Sequence, residues 1–357
     1  MTISIDITPA GSSRIAAVDF DKIGFGDVFS DHMFQMDYVD GAWRNPRIMP
    51  YGPFAIEPGA LCLHYGQSVF EGLKAFRGVD GTPRIFRPDR NAARLQDSCQ
   101  RLCIPAFDTQ LFLEALDALV RIDHQWIPEG EGKALYLRPL VVATEANLAV
   151  KPSDRYSFFI MASPVCEYFD KSLPPISLKA EHSYTRAAPG GMGYAKTAGN
   201  YAASLLPAVE STREGFDQVL WLDGVQHANV EEVGQMNIFF QIDDTVVTPA
   251  LRGTILPGVT RSCVLALLKR RGIRCEERQV AIQEIVDAAY SGRLKEAFGA
   301  GTAAVVAPVG LIDVAGTRLE INNREQGELA MSLYQEILEI QNGRAGDEFG
   351  WNRLVAL

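Results

Sequence analysis

AAPGGMGYAKTAGNYAASLLPAV, residues 187–209, contains one charged side chain, Lys196, between Arg186 and Glu210. A lysine in a Gly-rich loop is ordinarily a solvated surface amine. Here small residues leave room beside it, no carboxylate within the stretch can pair with it, and a helix is expected to begin just after it. Poor solvation favours the neutral amine, the form that attacks an aldehyde. The chemistry this suggests is a Schiff base. Pyridoxal phosphate is the cofactor most commonly held that way, and it makes further demands: an acid for its ring nitrogen, a donor for its phenolic oxygen and an anion site for its phosphate.

Each demand has a candidate. Tyr201 follows the lysine by one helical turn and carries a phenol, although a core tyrosine would look the same. In NVEEVGQMN, 229–237, strand alternation directs Glu231 and Glu232 to opposite sides. One is expected to face inward, which a carboxylate tolerates with a cationic partner such as a pyridinium. LPGVT, 256–260, leads into a helix whose first amides can hold an anion. FGAGTAAVV, 298–306, is a small-residue turn entering an apolar strand, and Gly turns of either kind mostly just connect elements. Arg94, on a helix with Arg90 and Arg101, reads by itself as a solvated face residue.

Composition narrows the rest. A chain of 357 residues, 47% apolar, can bury a large core, and its length favours two domains. With 34 Lys plus Arg against 44 Asp plus Glu, the net charge of −10 argues against a nucleic-acid partner. The N-terminus, MTISIDITPAGSSRI, lacks an apolar signal core, and no run approaches the roughly 18 apolar residues of a membrane span. A cytoplasmic protein without a membrane partner is expected. Six dispersed cysteines form no C-x-x-C and read as reduced, mostly buried thiols. Cys99 and Cys103 would share a helix face, but no histidine lies at ligand spacing, so no metal is expected.

The pattern along the chain predicts α+β, with mixed α/β segments. Leu73–Arg77 and Arg84–Arg87 read as a hairpin around an Asp-Gly turn. Helices are expected from Asp89 as N-cap to about Leu102, and from about Gln110 to Trp126 with Phe112, Leu116, Leu119 and Ile122 as its apolar stripe. Strands follow near 135–144, 156–162, 219–222 and 237–242, and further helices near 198–211, 259–271, 282–289 and 328–341. Prolines in SPVCEYFDKSLPPI mark a linker. The division is a smaller N-terminal α/β domain over 1–165, a linker over 166–178 and a larger C-terminal domain over 179–357.

Taken in order, HYGQSVFEGLKAFRG (64–78), FRPDRNAARL (86–95), LYLRP (135–139), AKTAGNYAAS (195–204), EEVGQMN (231–237), LPGVTR (256–261) and FGAGTAA (298–304) resemble the branched-chain amino-acid aminotransferases, fold-type IV (class IV) pyridoxal-phosphate enzymes. The resemblance runs nearly end to end, and several long motifs in register are far more specific than any one of them. It implies a two-domain fold with the cofactor between the domains. It implies Lys196 as the Schiff-base lysine that also shuttles the substrate proton, Glu232 at the pyridine nitrogen and Tyr201 at the ring oxygen. Arg94, the amides of Val259 and Thr260, and Thr302 would hold the phosphate. The amides of Thr302 and Ala303 would receive the substrate carboxylate. Tyr65, Phe70, Tyr136 and Tyr168 match aromatic wall positions, Arg138 and Lys74 line or support the pocket, and Tyr65 and Val150 would come from the partner subunit of a homodimer.

The implied reaction moves an amino group between L-leucine, L-isoleucine or L-valine and 2-oxoglutarate. Within the same fold, a D-amino-acid aminotransferase or aminodeoxychorismate lyase would share the lysine and the glutamate, while LYLRP and HYGQSVFEG favour the branched-chain reading. The chain departs from parts of the family twice. Mammalian members carry a C-x-x-C after the Gly-Thr-Ala turn where this chain reads AAVVA, and eukaryotic relatives have threonine at the position of Gln235.

Overall fold

A computed structural model describes residues 4–166 and 174–357. Tyr168 and most of the expected linker lie outside the described residues. Two compact units emerge: Met1–Tyr168 with Ala195–Ala198 and Leu338–Leu357, and Phe169–Tyr194 with Gly199–Ile337. The short Lys196 segment and the C-terminus thus pack with the N-terminal part of the chain. Both units mix helix and strand, as the α+β expectation requires.

The first unit is built on β1 (Asp6–Ile7), β2 (His32–Val39), β3 (Ala42–Pro50), β4 (Ser68–Phe70), β5 (Leu73–Arg77), β6 (Pro83–Phe86), β7 (Ala134–Ala143) and β8 (Tyr156–Val165). The sheet order is β1-β3-β2-β8-β7-β5-β6, extended by the C-terminal strand Asn352–Leu354, with β4 pairing separately with β7. The hairpin β2–β3 turns at Asp40 and Gly41, both at positive φ, and was not among the sequence expectations despite its Asp-Gly signal. Helix α1 (Leu61–Tyr65) is short, and α2 (Pro88–Arg101) and α3 (Thr109–Ile122) cover the sheet. Leu95, Cys99, Phe112, Leu116 and Leu119 join Phe34, Leu137 and Phe158 in one core. Each such side chain removed from water contributes about 1.5–3 kcal/mol before the entropy of ordering it.

Several boundaries differ from the sequence expectation. The N-cap of α2 is Arg87, in the left-handed region at φ 52°, and Pro88 takes the first helical position that its fixed φ suits. Asp89 lies inside the first turn, where its charge complements the helix dipole. Cys103 falls beyond the end of α2, so it shares no helix face with Cys99. Only Cys99 and Cys263 are buried among the cysteines, and Cys103 is exposed. Asp108 caps α3 by accepting from the amides of Gln110 and Leu111. That helix stops at Ile122, which is only half-buried, because Asp123 turns inward to accept from the His32 amide and to meet its Nδ1 at 2.6 Å.

The second unit holds β9 (Ile176–Glu181), β10 (Gln218–Leu222), β11 (Val230–Val233), β12 (Met236–Ile242), β13 (Thr245–Pro249), β14 (Arg274–Arg278), β15 (Leu294–Gly301), β16 (Val305–Val314) and β17 (Thr317–Glu320). Their order is β11-β10-β9-β16-β15-β12-β13-β14, and β11 also pairs with β12. That extra pairing closes six strands into a ring, which removes their free edges. Leu220, Ile238, Phe240, Ile285 and Ile312 pack in its core. The helix expected over 198–211 is divided into α4 (Ala198–Ala203) and α5 (Leu205–Arg213). Pro207 has no N–H to donate to Ala203, so a continuous helix would lose that bond. The chain turns at Ser204, whose hydroxyl and amide both donate to the Tyr201 carbonyl. Helices α6 (Val259–Arg270), α7 (Ile282–Tyr290) and α8 (Glu328–Gln341) complete the set.

Candidate active site

In the first unit, the lysine backbone is fixed from two sides. Its amide donates to Ser98 Oγ on α2 at 2.9 Å, and its carbonyl accepts from the Phe70 amide on β4 at 3.0 Å. Thr197 forms a bridge with Val69, and its hydroxyl donates to the Ser68 carbonyl at 2.7 Å. Lys196 is half-buried, with Nζ 4.7 Å from the centroid of the Phe70 ring. The guanidinium of Arg138 stands 4.9 Å from the same ring and donates to Tyr136 Oη at 3.0 Å. Arg138 Nε is buried without a hydrogen-bond partner. Lys74 is buried on β5, in register with Tyr136 on β7. Gly72 is required by close approach, since a Cβ there would overlap Tyr136 Oη.

Arg94 is buried rather than solvated, because α2 turns Asn91, Arg94, Leu95 and Ser98 inward together. Its Nε donates to Glu71 Oε1 at 2.6 Å and its Nη2 to Glu71 Oε2 at 2.9 Å. Asn91 Nδ2 and the Gly72 amide also donate to Oε2. Glu71 is completely buried; burial alone would raise its pKa, but Arg94 and the charge of Lys196 hold it below the usual carboxylate range. Tyr65 and Val150 are exposed on this unit, with Tyr65 Oη donating to the Leu148 carbonyl at 2.5 Å.

In the second unit, β11 buries both glutamates, where the sequence reading expected only one to face inward. Their sides differ. Glu231 accepts from Thr254 Oγ1, and its other oxygen is buried without a partner. Burial pushes its pKa up, against the Thr254 bond and the charge of Arg186. Glu232 pairs with Arg186 Nη1 at 2.7 Å and accepts from Asn237 Nδ2 at 3.1 Å. The cationic partner that a buried carboxylate demands is thus supplied by the chain itself. Arg186 is held in turn by the carbonyls of Thr254 and Gly193.

Tyr201 and Glu232 line one small cavity with Arg186, Asn200, Ser204 and Gln235. Asn237 also donates to the Leu256 carbonyl, which ties EEVGQMN to LPGVT. Gly258 caps α6, and a Cβ there would overlap Asn237 Oδ1, so only glycine lets the helix start against that side chain. Val259 and Thr260 are therefore the first residues of α6, where the amides have no carbonyl partner within the helix. Thr302 and Ala303 occupy the tight connection between Gly301 and Val305, which pair across β15 and β16. Gly301 lies beside Met236, and added bulk there would meet Met236 Cγ at 3.0 Å.

The family model for amino-transferase class IV matches residues 68–312. The chain is 48% identical over 356 residues to branched-chain-amino-acid aminotransferase 2 of Bacillus subtilis (strain 168), covering 99% of this chain and 97% of that one. The chain belongs to the class IV aminotransferases, in the branched-chain amino-acid aminotransferase family. A relative from Mycolicibacterium smegmatis is 42% identical over 356 residues, covering 98% and 96% of the two chains. Among solved structures, the branched-chain amino acid aminotransferase from Escherichia coli superposes with a TM-score of 0.73 at 26% identity. The match covers 91% of this chain and 100% of that one. The holo enzyme of Thermobaculum terrenum in its pyridoxal-phosphate form gives 0.76 at 25% identity, with 91% and 98% covered.

The motifs read from the sequence thus belong to this aminotransferase family, and two partners had escaped that reading. Arg186 is the charge that ends the neutral stretch, and Glu71 lies between Phe70 and Gly72 of the motif quoted for its aromatics. Neither sequence position tells which buried charge the side chain meets. Among the described residues, no helix is long and apolar enough to cross a membrane.

Proposed function

We propose that this chain transfers the α-amino group of L-leucine, L-isoleucine or L-valine to 2-oxoglutarate, using pyridoxal 5'-phosphate. The observation that carries the proposal is the fixed Lys196 segment beside Phe70 and the Arg94–Glu71 pair, in a chain nearly half identical to named relatives end to end. The donor sets fit that cofactor: an amine, a guanidinium held by a buried carboxylate, a phenol near a carboxylate, and amides at a helix start. When bound, the cofactor supplies an electron sink for the substrate α-carbon.

Lys196 would hold the cofactor and, once displaced by substrate, would act as the base that takes and returns the substrate α-proton. Glu232, paired with Arg186, would hold a proton on the ring nitrogen. Tyr201 would donate to the ring oxygen. Arg94, the amides of Val259 and Thr260, and Thr302 would bind the phosphate, and the amides of Thr302 and Ala303 would orient the substrate carboxylate. Phe70 and Tyr136, with Tyr168, bury the aliphatic chain for about 1.5–3 kcal/mol. Arg138 would donate to the side-chain carboxylate of glutamate in the other half-reaction; Tyr136 and the Phe70 ring occupy it when an aliphatic chain is bound. Lys74 supports that wall from β5. The exposed Tyr65 and Val150 serve the partner's pocket in a homodimer, and the enzyme works in the cytoplasm.

The decisive experiment adds L-leucine or D-alanine to the cofactor-loaded protein. L-Leucine should abolish the cofactor's visible band and release its 2-oxo acid, and 2-oxoglutarate should restore the band. A response to D-alanine without one to L-leucine would favour the D-amino-acid aminotransferase reading instead.

A further inference from the structure

We infer that Glu71 is a positioning residue of this site, orienting Arg94 for the phosphate and supplying the negative charge against which the amine of Lys196 titrates. The inference rests on the roles proposed for Lys196 and Arg94.

A carboxylate with no exposure is costly unless it is paired with a cation and hydrogen-bonded. Glu71 meets this condition in a way that fixes its neighbours. Two parallel bonds take the Nε and Nη2 edge of Arg94, so the guanidinium plane is set by Glu71. Asn91 and the Gly72 amide hold the carboxylate from a second direction. Ser98 Oγ donates to the Arg94 carbonyl and accepts from the Lys196 amide, linking the same helix to the lysine backbone.

Glu71 also follows Phe70, whose ring lies under the lysine Nζ and whose amide binds the lysine carbonyl. The charged and titratable groups gathered on these elements are Arg94 from α2, Lys74 from β5, Tyr136 and Arg138 from β7, and Glu71 after β4. Arg94, Lys74 and Arg138 put positive charge on the elements around Lys196. Glu71 opposes them, and the attraction between Glu71 and Lys196 is part of what holds the Glu71 carboxyl low.

The test titrates the visible band of the cofactor-loaded protein against pH in wild type, Glu71→Gln and Glu71→Asp, and measures cofactor dissociation in each. In Glu71→Gln the protonation midpoint should fall by about one pH unit, because an anion beside a protonated nitrogen has been removed. Cofactor binding should weaken about tenfold as Arg94 loses its anchor. Glu71→Asp retains the charge but is too short to span both nitrogens, so its midpoint should stay near wild type while retention weakens. A folded Glu71→Gln with wild-type midpoint and wild-type retention would overturn the inference. If Glu71→Gln does not fold, Glu71→Asp decides: wild-type retention, or a midpoint displaced by a full pH unit, overturns it. A wild-type band that survives Lys196→Ala would instead overturn the underlying assignment of Lys196, a result that Glu71 variants cannot mimic.

Discussion

Replacing Glu232 by Gln would leave Arg186 facing a neutral amide and would remove the acid assigned to the ring nitrogen. Cofactor should still bind, but turnover should fall on the order of a hundredfold, the scale of losing one preorganised charge. Glu231→Gln should keep turnover within about threefold, because that side chain bonds Thr254 on the other side of the strand. The two also differ in stability. Burial raises the Glu231 pKa above the ordinary 4.5, so the native state binds more protons than the unfolded chain over that window. Stability contributed there falls as pH rises from about 4.5 through the raised value. Glu231→Gln removes this loss, so melting curves should show the variant gaining on wild type between about pH 4 and pH 7.5. Equal gaps at both pH values would contradict it. At this scale the charge-poor setting of Lys196 was legible in the sequence, whereas the choice of Glu232 over Glu231 came from the family resemblance. Arg94 by itself read as a solvated face residue because a charged side chain gives no sign that it shares the buried face of α2 with Asn91, Leu95 and Ser98.

The connection between β7 and β8 is clipped by Glu145. Lys151 approaches its Oε1 at 2.8 Å, the Asp154 amide donates to Oε2 at 2.7 Å, and Asn147 donates to Oε1. The Lys151 bond and the Asp154 amide hold its pKa down at about 2. A lowered carboxylate stabilises above its unfolded pKa and loses that contribution as pH falls toward the folded value. The loop carrying Val150 should therefore stay closed at neutral pH and open between about pH 4.5 and 2. Glu145→Gln should open it at neutral pH, with faster amide exchange over 147–152 and little change in melting temperature; unchanged exchange would contradict the clip. Most helices and the β5–β6 hairpin were read from sequence to within a few residues, but the β2–β3 hairpin was missed despite its own Asp-Gly turn. Breaks were not legible. The stop at Ser204 depends on Pro207 denying one hydrogen bond, and the end of α3 depends on Asp123 meeting His32, a partner far away in sequence.

Of the residues proposed to act, Lys196 and Arg94 lie in one unit and Glu232 and Tyr201 in the other. Chain order hides this division, because the four residues around Lys196 pack with the N-terminal unit while their neighbours on both sides do not. The strand ring was equally hidden, since closure needs β11 to pair with β12 as well as β10. The proposed function makes Lys196 the covalent anchor of the cofactor. Borohydride reduction of the loaded protein, followed by digestion and peptide mass measurement, tests that directly. The account predicts the reduced cofactor on the peptide containing Lys196, at one per chain, and none in Lys196→Ala; label on another lysine, or none in the wild type, would contradict it.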